Sequence, residues 1–439
     1  MNKHQFWNKI KSRLIYSPNA RNAVWIVGGK VAQMLISLVI SMLTARYLGP
    51  TNFGLISYSF SYIAFFSAFC TLGINSILVK EFIEKPDRQG EAIGTTLILR
   101  GLSSFLSVFA ILIIVSIIDR DEPSTVLVVF LCSIQLLFSV FDTFDDWYQS
   151  KLKSKIPSIA RTIAVFLIAG YKVFLLITKK SVKWFAISAS LDFLIYAIIL
   201  GFLYFRQNGQ ALTFSKLRAI EILKRSYNFI LSGIMVSVYV YIDRLMIKQM
   251  LTSTYVGYYS VAVSVSTLWT FVLSAIIDSM RPTIMVLYEK NKELFYRRLT
   301  QLYSIVVYLS FTVSFLFLIF SRPVIALLYG VEYLPAVSSL RIVTWSTAFS
   351  YLGVVRNIWI VCDNKQRYLK YIYFVAAFIN VLLNLILISL LGITGAAISA
   401  LLTQICTSIV IPSFYKEMRK NNQLILDAFT LKGFKRDLG

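Results

Sequence analysis

The chain has 439 residues, 57% of them hydrophobic and 15% charged, with a mean hydropathy of +0.70 and a formal net charge of +23. That charged share, against about one quarter in soluble domains, excludes an ordinary soluble protein, and the recurring apolar runs fit the ~30 Å hydrocarbon core of a bilayer. A single histidine, His4, and four cysteines with no CxxC spacing exclude a histidine relay and point to no metal centre, cofactor or disulfide framework.

In lipid every backbone polar group must be paired within the protein, so the apolar runs are read as helices. Twelve spans are expected, at about 23–44, 54–79, 91–117, 125–148, 158–178, 183–204, 228–248, 256–279, 302–321, 335–360, 370–390 and 394–414. The first is too long for a cleaved signal peptide and has no small-residue cleavage site after it.

An even number of spans puts both ends of the sequence on one side. That side carries 31 of the 44 lysines and arginines, the opposite side eight, and five lie within spans. The bias assigns the termini to the cytoplasm. It also accounts for the basic excess without nucleic acid, through topology and attraction to anionic membrane lipids. One loop dissents, with Lys179, Lys180 and Lys183 on the outer side.

The chain repeats itself at about half its length. YLGPTNFGLIS at 47–57 and MLTSTYVGYYS at 250–260 share a leucine, a threonine, a glycine and a serine at an offset of 203. AISA recurs at 186–189 and 397–400, and Trp147 and Lys153 recur as Trp359 and Lys365 at an offset of 212. Each echo pairs a span with the one six places later. Two copies of six spans enter the membrane the same way up, giving two parallel six-helix lobes with substrate expected between them. The expected divisions are a cytoplasmic N-terminal segment 1–22, a lobe 23–204, a linker 205–227, a lobe 228–414 and a basic tail 415–439. FSKLRAIEILKRSYNF in the linker spaces Phe214, Leu217, Ile220 and Leu223 three apart between basic residues, which predicts an amphipathic helix on the inner membrane surface. FWNKIKSRLI at 5–14 has the same character.

Arg46-Tyr47-Leu48-Gly49-Pro50 with Phe53-Gly54, Leu72-Gly73-Ile74, Asp146-Trp147-Tyr148-Gln149 and 391–397 (LGITGAA) resemble the motifs of bacterial polysaccharide transporters. These are the Wzx-type flippases of the multidrug/oligosaccharidyl-lipid/polysaccharide exporter superfamily. The resemblance covers nearly the whole chain. It implies an all-α, MATE-like fold of about twelve transmembrane helices, in the bacterial plasma (inner) membrane. It implies a transporter rather than an enzyme, flipping an undecaprenyl-diphosphate-linked oligosaccharide for O-antigen or capsule, with other polysaccharide assembly proteins as partners. Three alternatives are a drug or cation antiporter of the same superfamily, a lipid II flippase, which is typically two spans longer, and a membrane polysaccharide polymerase or ligase, which would need a large outer loop. The longest outer loop here runs only from about 322 to 334.

Ionisable groups within spans are costly and generally face an interior or a water-filled path. The substrate-binding candidates are therefore Arg100, Lys172, Asp192, Lys30, Arg244 and Asp243. Arg100 and Lys172 come first, because an anionic diphosphate asks for cations. Lys172 and Asp192 sit on consecutive spans and could instead pair with each other. Lys30 is shallow enough to snorkel. Asp243 and Arg244 are neighbours pointing ~100° apart, so one of the two is expected to face the path. Arg356 reads as a topological charge. Tyr239, Tyr241, Tyr255, Tyr258 and Tyr259 could stack on sugars or belong to an interfacial aromatic belt.

Overall fold

A computed structural model describes the backbone of residues 18–207 and 210–430, and side chains from Gln33 onward except those of Ser76, Asn228, Phe229 and Ser232. The N-terminal amphipathic segment 5–14 and the side chain of Lys30 lie outside the described residues, as does the tail beyond Thr430.

The described chain is helical, without a strand. Its helices are α1 (Pro18–Cys70), α2 (Asn75–Glu84), α3 (Gln89–Ile118), α4 (Pro123–Ser133), α5 (Asp142–Ser150), α6 (Lys155–Ile177) and α7 (Val182–Arg206). There follow α8 (Lys216–Met250), α9 (Ser253–Thr267), α10 (Thr270–Lys290), α11 (Lys292–Leu328), α12 (Ala336–Cys362), α13 (Leu369–Leu391), α14 (Ile393–Ile405) and α15 (Arg419–Phe429). Among the described residues, nine helical segments are long and apolar enough to cross a membrane. Gln33–Cys70 supplies two crossings, because Gly49 leaves helical geometry at φ 69° ahead of Pro50. With α8 and α12, these account for the twelve expected spans.

Several spans are broken where the sequence reads as continuous. The second was expected to reach residue 79, but the helix ends at Cys70 and resumes at Asn75, with Leu72 and Gly73 at positive φ. The fourth breaks its regular α-helix at Ile134 and passes through a short helical turn, 135–138, and a 3-10 turn, 139–141, before α5. There the side chains of Ser133, Gln135 and Ser139 donate to carbonyls three residues back, at 2.8, 2.9 and 2.7 Å. Such local bonds compete with the helical ladder. Ser266, Thr267 and Thr270 do the same around the break between α9 and α10.

The chain divides into two compact units. The first comprises 1–47 and 66–230, the second 48–65 and 231–439. The stretch 48–65, which the sequence reading placed in the first lobe, belongs to the second unit. The linker also differs from its expected form. Residues 210–215 form a strap, and the expected amphipathic helix is the first turns of α8, with Leu217, Ile220 and Leu223 exposed, but it continues unbroken to Met250.

Each unit shows the repeat in its backbone. After α5, Leu152 has φ 56° and Lys153 N donates to Tyr148 O at 2.9 Å. After α12, Asn364 has φ 53° and Lys365 N donates to Ile360 O at 2.9 Å. All three positions correspond at an offset of 212. Each unit also ends in a segment folded back on its third crossing. In the first unit, Ser215 N donates to Thr95 Oγ1 at 3.0 Å, and the Gln210 side chain joins Gly90 N to Pro86 O. A Cβ on Gly90 or Gly94 would stand 2.3 or 2.5 Å from a strap carbonyl, so only glycine lets the strap approach. In the second unit, α15 packs on α11, where Tyr303 OH donates to Asn421 Oδ1 and Ser304 Oγ to Ala428 O.

Candidate functional site

In the first unit Arg100 and Asp192 each have an ion-pair partner. Arg100, on α3, is 1% exposed. Its Nη1 donates to Thr143 Oγ1 at 2.9 Å, and its Nη2 to Asn75 Oδ1 at 3.0 Å and Asp146 Oδ2 at 3.3 Å. One guanidinium therefore ties α3 to α2 and α5. The 146–149 motif (DWYQ) supplies its counter-ion, and the adjacent Trp147 donates from Nε1 to Gln89 Oε1 at 3.0 Å. Lys151 Nζ sits 4.0 Å from the Trp147 ring centroid, where burial pulls its pKa below the usual lysine value.

Asp192 does not take Lys172 as its ion-pair partner. Its Oδ2 accepts from Arg161 Nη2 at 2.7 Å, and Arg161 also faces the rings of Phe193 and Tyr196. Arg161 lies at the inner edge of the expected span 158–178 and is not among the candidate residues. Its place in the second turn of α6, 31 residues from Asp192, gave no local signal of the pairing. Lys172 makes no hydrogen bond or ion pair within 4 Å among the described residues.

The second unit contains a partly open cavity of about 230 Å³ with polar groups among its lining residues. Asp243 and Arg244 of α8 both line it, although adjacency on a helix suggested that only one would. Asp243 is buried, and both carboxylate oxygens accept a hydrogen bond. Tyr259 OH donates to Oδ2 at 2.7 Å and Asn384 Nδ2 to Oδ1 at 2.6 Å. The network continues from Asn384 to Asn380 and from Asn380 to Thr403 Oγ1.

Arg244 is half-buried. Its Nε donates to Ser260 Oγ at 3.1 Å. Its two Nη nitrogens have no protein hydrogen-bond partner among the described residues. Hydroxyls complete the wall, from Ser266, Thr267 and Thr270 on one side and Ser346, Thr347 and Ser350 on the other. Tyr239 and Tyr351 add aromatic surface, and Gln404 an amide. Tyr239 is itself stacked on Tyr373, with ring centroids 5.8 Å apart. Thr403 and Asp192 are equivalent at the offset of 211 that relates the two AISA stretches. The cavity therefore offers one cation with free donors, a buried carboxylate already accepting from Tyr259 and Asn384, and a surround of neutral donors and acceptors. Such a lining suits a polyhydroxylated ligand with an anionic group.

Arg356 is 1% exposed on α12 and donates to the Thr407 carbonyl. Its burial removes it from the role of a topological charge at the membrane surface.

Residues 19–288 match the family described as polysaccharide biosynthesis protein. No curated protein sequence matches the chain. Among solved structures, the chain resembles an inward-facing multidrug resistance MATE family transporter of the MOP superfamily. Identity is 15%, coverage 90% of this chain and 96% of that one, and the TM-score 0.68. It resembles the lipid II flippase MurJ in an inward closed conformation at 14% identity, covering 94% and 92%, with a TM-score of 0.69. It also resembles a MOP superfamily transporter from Pyrococcus furiosus, for which a reversed polarity of the binding pocket is described, at 14% identity, covering 92% and 95%, with a TM-score of 0.61. The all-α multi-pass membrane fold is therefore that of the MOP-superfamily transporters.

Proposed function

Because the chain belongs to the polysaccharide biosynthesis protein family, we propose that it flips undecaprenyl-diphosphate-linked oligosaccharide repeat units across the bacterial plasma membrane for O-antigen or capsule assembly. It does so by alternating access, without an enzymatic step, and with both termini in the cytoplasm. The observation that carries this reading is the second-unit cavity, where Arg244 stands among hydroxyls and amides. Sugars present dense hydroxyls that pair with such side chains, and the free Nη donors suit a phosphate or acidic sugar oxygen. The polyprenyl tail stays in lipid, where it costs nothing to leave it.

Of the six candidate residues, Arg244 is assigned to the cargo and Asp243 to holding the cavity wall. Arg100 and Asp192 hold helices together through Asp146 and Arg161. Lys172 is a second cation available to cargo. A cation antiporter would call for an acid presented to the cavity without a neighbouring cation, whereas Asp243 is buried, adjoins Arg244 and already accepts from Tyr259 and Asn384.

The test is complementation of a flippase-null strain. Arg244→Ala should accumulate in the membrane at the normal level and fail to restore surface polysaccharide. Full restoration would remove this cavity from the transport path. Restored resistance to cationic drugs in an exporter-null strain, without polysaccharide, would favour the antiporter.

A further inference from the structure

A second cavity, of about 460 Å³, lies in the first unit between α3 and α4. Leu112, Ser116 and Arg120 mark one wall at four-residue spacing, and Val126, Leu127 and Phe130 the other. Apart from Ser116 the walls are apolar up to the turn at 119–122, where Arg120 lines the cleft and Asp121 adjoins Arg120. Arg120 Nε is 3.5 Å from Asp121 Oδ2, and their side chains are 79% and 90% exposed. The apolar part belongs to two membrane-crossing segments, so hydrocarbon lies against it, and the charged pair lies where the headgroups begin.

We infer that this cleft binds a phospholipid with a primary-amine headgroup, phosphatidylethanolamine in kind. One acyl chain lies between α3 and α4, the phosphate meets Arg120, and the ammonium meets Asp121. The paired charges decide between headgroups. A guanidinium grips phosphate oxygens through paired N–H donors. An anionic glycerol headgroup would satisfy Arg120 and leave Asp121 facing a second negative charge. A quaternary choline has no N–H to give the carboxylate. Only a headgroup with a phosphate and a hydrogen-bonding ammonium complements both side chains. The cleft lies in the first unit, and the cargo cavity in the second.

The full chain, reconstituted in vesicles of equal phosphatidylethanolamine, phosphatidylglycerol and phosphatidylcholine, is released into the gas phase and its retained lipids are weighed by native mass spectrometry. Phosphatidylethanolamine should be retained at least threefold over either competitor. Arg120→Ala and Asp121→Ala, both on an exposed turn, should each bring the three lipids to parity. Val126→Trp, which fills the cleft, should lower total retained lipid. Equal retention by the unsubstituted protein overturns the site. So does a preference that survives both charge removals. Loss with Arg120→Ala alone, with Asp121→Ala unchanged, overturns the amine specificity.

Discussion

Thr51 Oγ1 and Thr254 Oγ1 lie 2.8 Å apart, although 203 residues separate them in the chain. The same offset relates every close contact around them. A Cβ on Gly54 would stand 1.8 Å from Ser253 O, and one on Gly257 would stand 2.1 Å from Pro50 O. Pro50 and Ser253, Thr51 and Thr254, Gly54 and Gly257 are thus three pairs exchanged by one local two-fold relation, with the threonines meeting at its centre. The two copies of the repeated motif bind each other, and glycine is required where their backbones touch.

Gly54→Ala and Gly257→Ala should each destabilise the protein by about 1–3 kcal/mol, the usual cost of overpacking a tight contact. The atoms met are backbone carbonyls, which cannot rotate away. The expected readout is a fall of several degrees in Tm in detergent, and lower accumulation. An unchanged Tm in both variants would show that the helices separate at no cost.

Thr51→Cys with Thr254→Cys, in a background lacking Cys70, Cys132, Cys362 and Cys406, should form a disulfide under mild oxidant, since the side chains already touch. Cleavage at a protease site inserted between residues 208 and 209 makes the bond visible as a retained full-length band. Two separate fragments after oxidation would show that the copies do not approach in the membrane.

Removing one partner of a buried pair leaves an uncompensated charge, at a cost of about 3–5 kcal/mol. Arg100→Ala should therefore lower accumulation and Tm, unlike Arg244→Ala. Replacing Arg100 and Asp146 together by apolar residues should recover most of the loss. If Arg100→Ala accumulates normally and only transport fails, Arg100 returns to the substrate path.

Asp192 distinguishes two partners. Exchanging the charges, Arg161→Asp with Asp192→Arg, should restore accumulation lost in each single variant. Lys172→Ala with Asp192→Ala should be no better than Asp192→Ala alone. Rescue by the second combination would transfer the pairing to Lys172.

Sidedness follows from the basic bias. A cysteine at Glu293 should resist an impermeant thiol reagent in intact cells, and one at Val331 should react; both positions are exposed. The opposite pattern would invert the topology.

Composition and periodicity alone determined that this is a helical membrane protein, where its spans fall, and that it is built twice. These are properties of hydrophobic run length and of an internal offset, and both are written along the chain. The motifs at 46–54 and 146–149 were legible as family signatures, but not what they do. That Gly54 meets Gly257's segment, and that Asp146 neutralises Arg100, depends on contacts 203 and 46 residues long. The candidate charges were found because charge within an apolar run is conspicuous. Their partners were not, because an ion pair is made by atoms brought together across helices. Arg161, at the edge of a span, gave no sign of its partner until α6 placed it on Asp192, and two neighbours pointing apart on α8 reached one cavity because other helices close around both. Tertiary packing alone sorted the charges into those that hold helices together and those, Arg244 and Lys172 among the described residues, left with donors to offer.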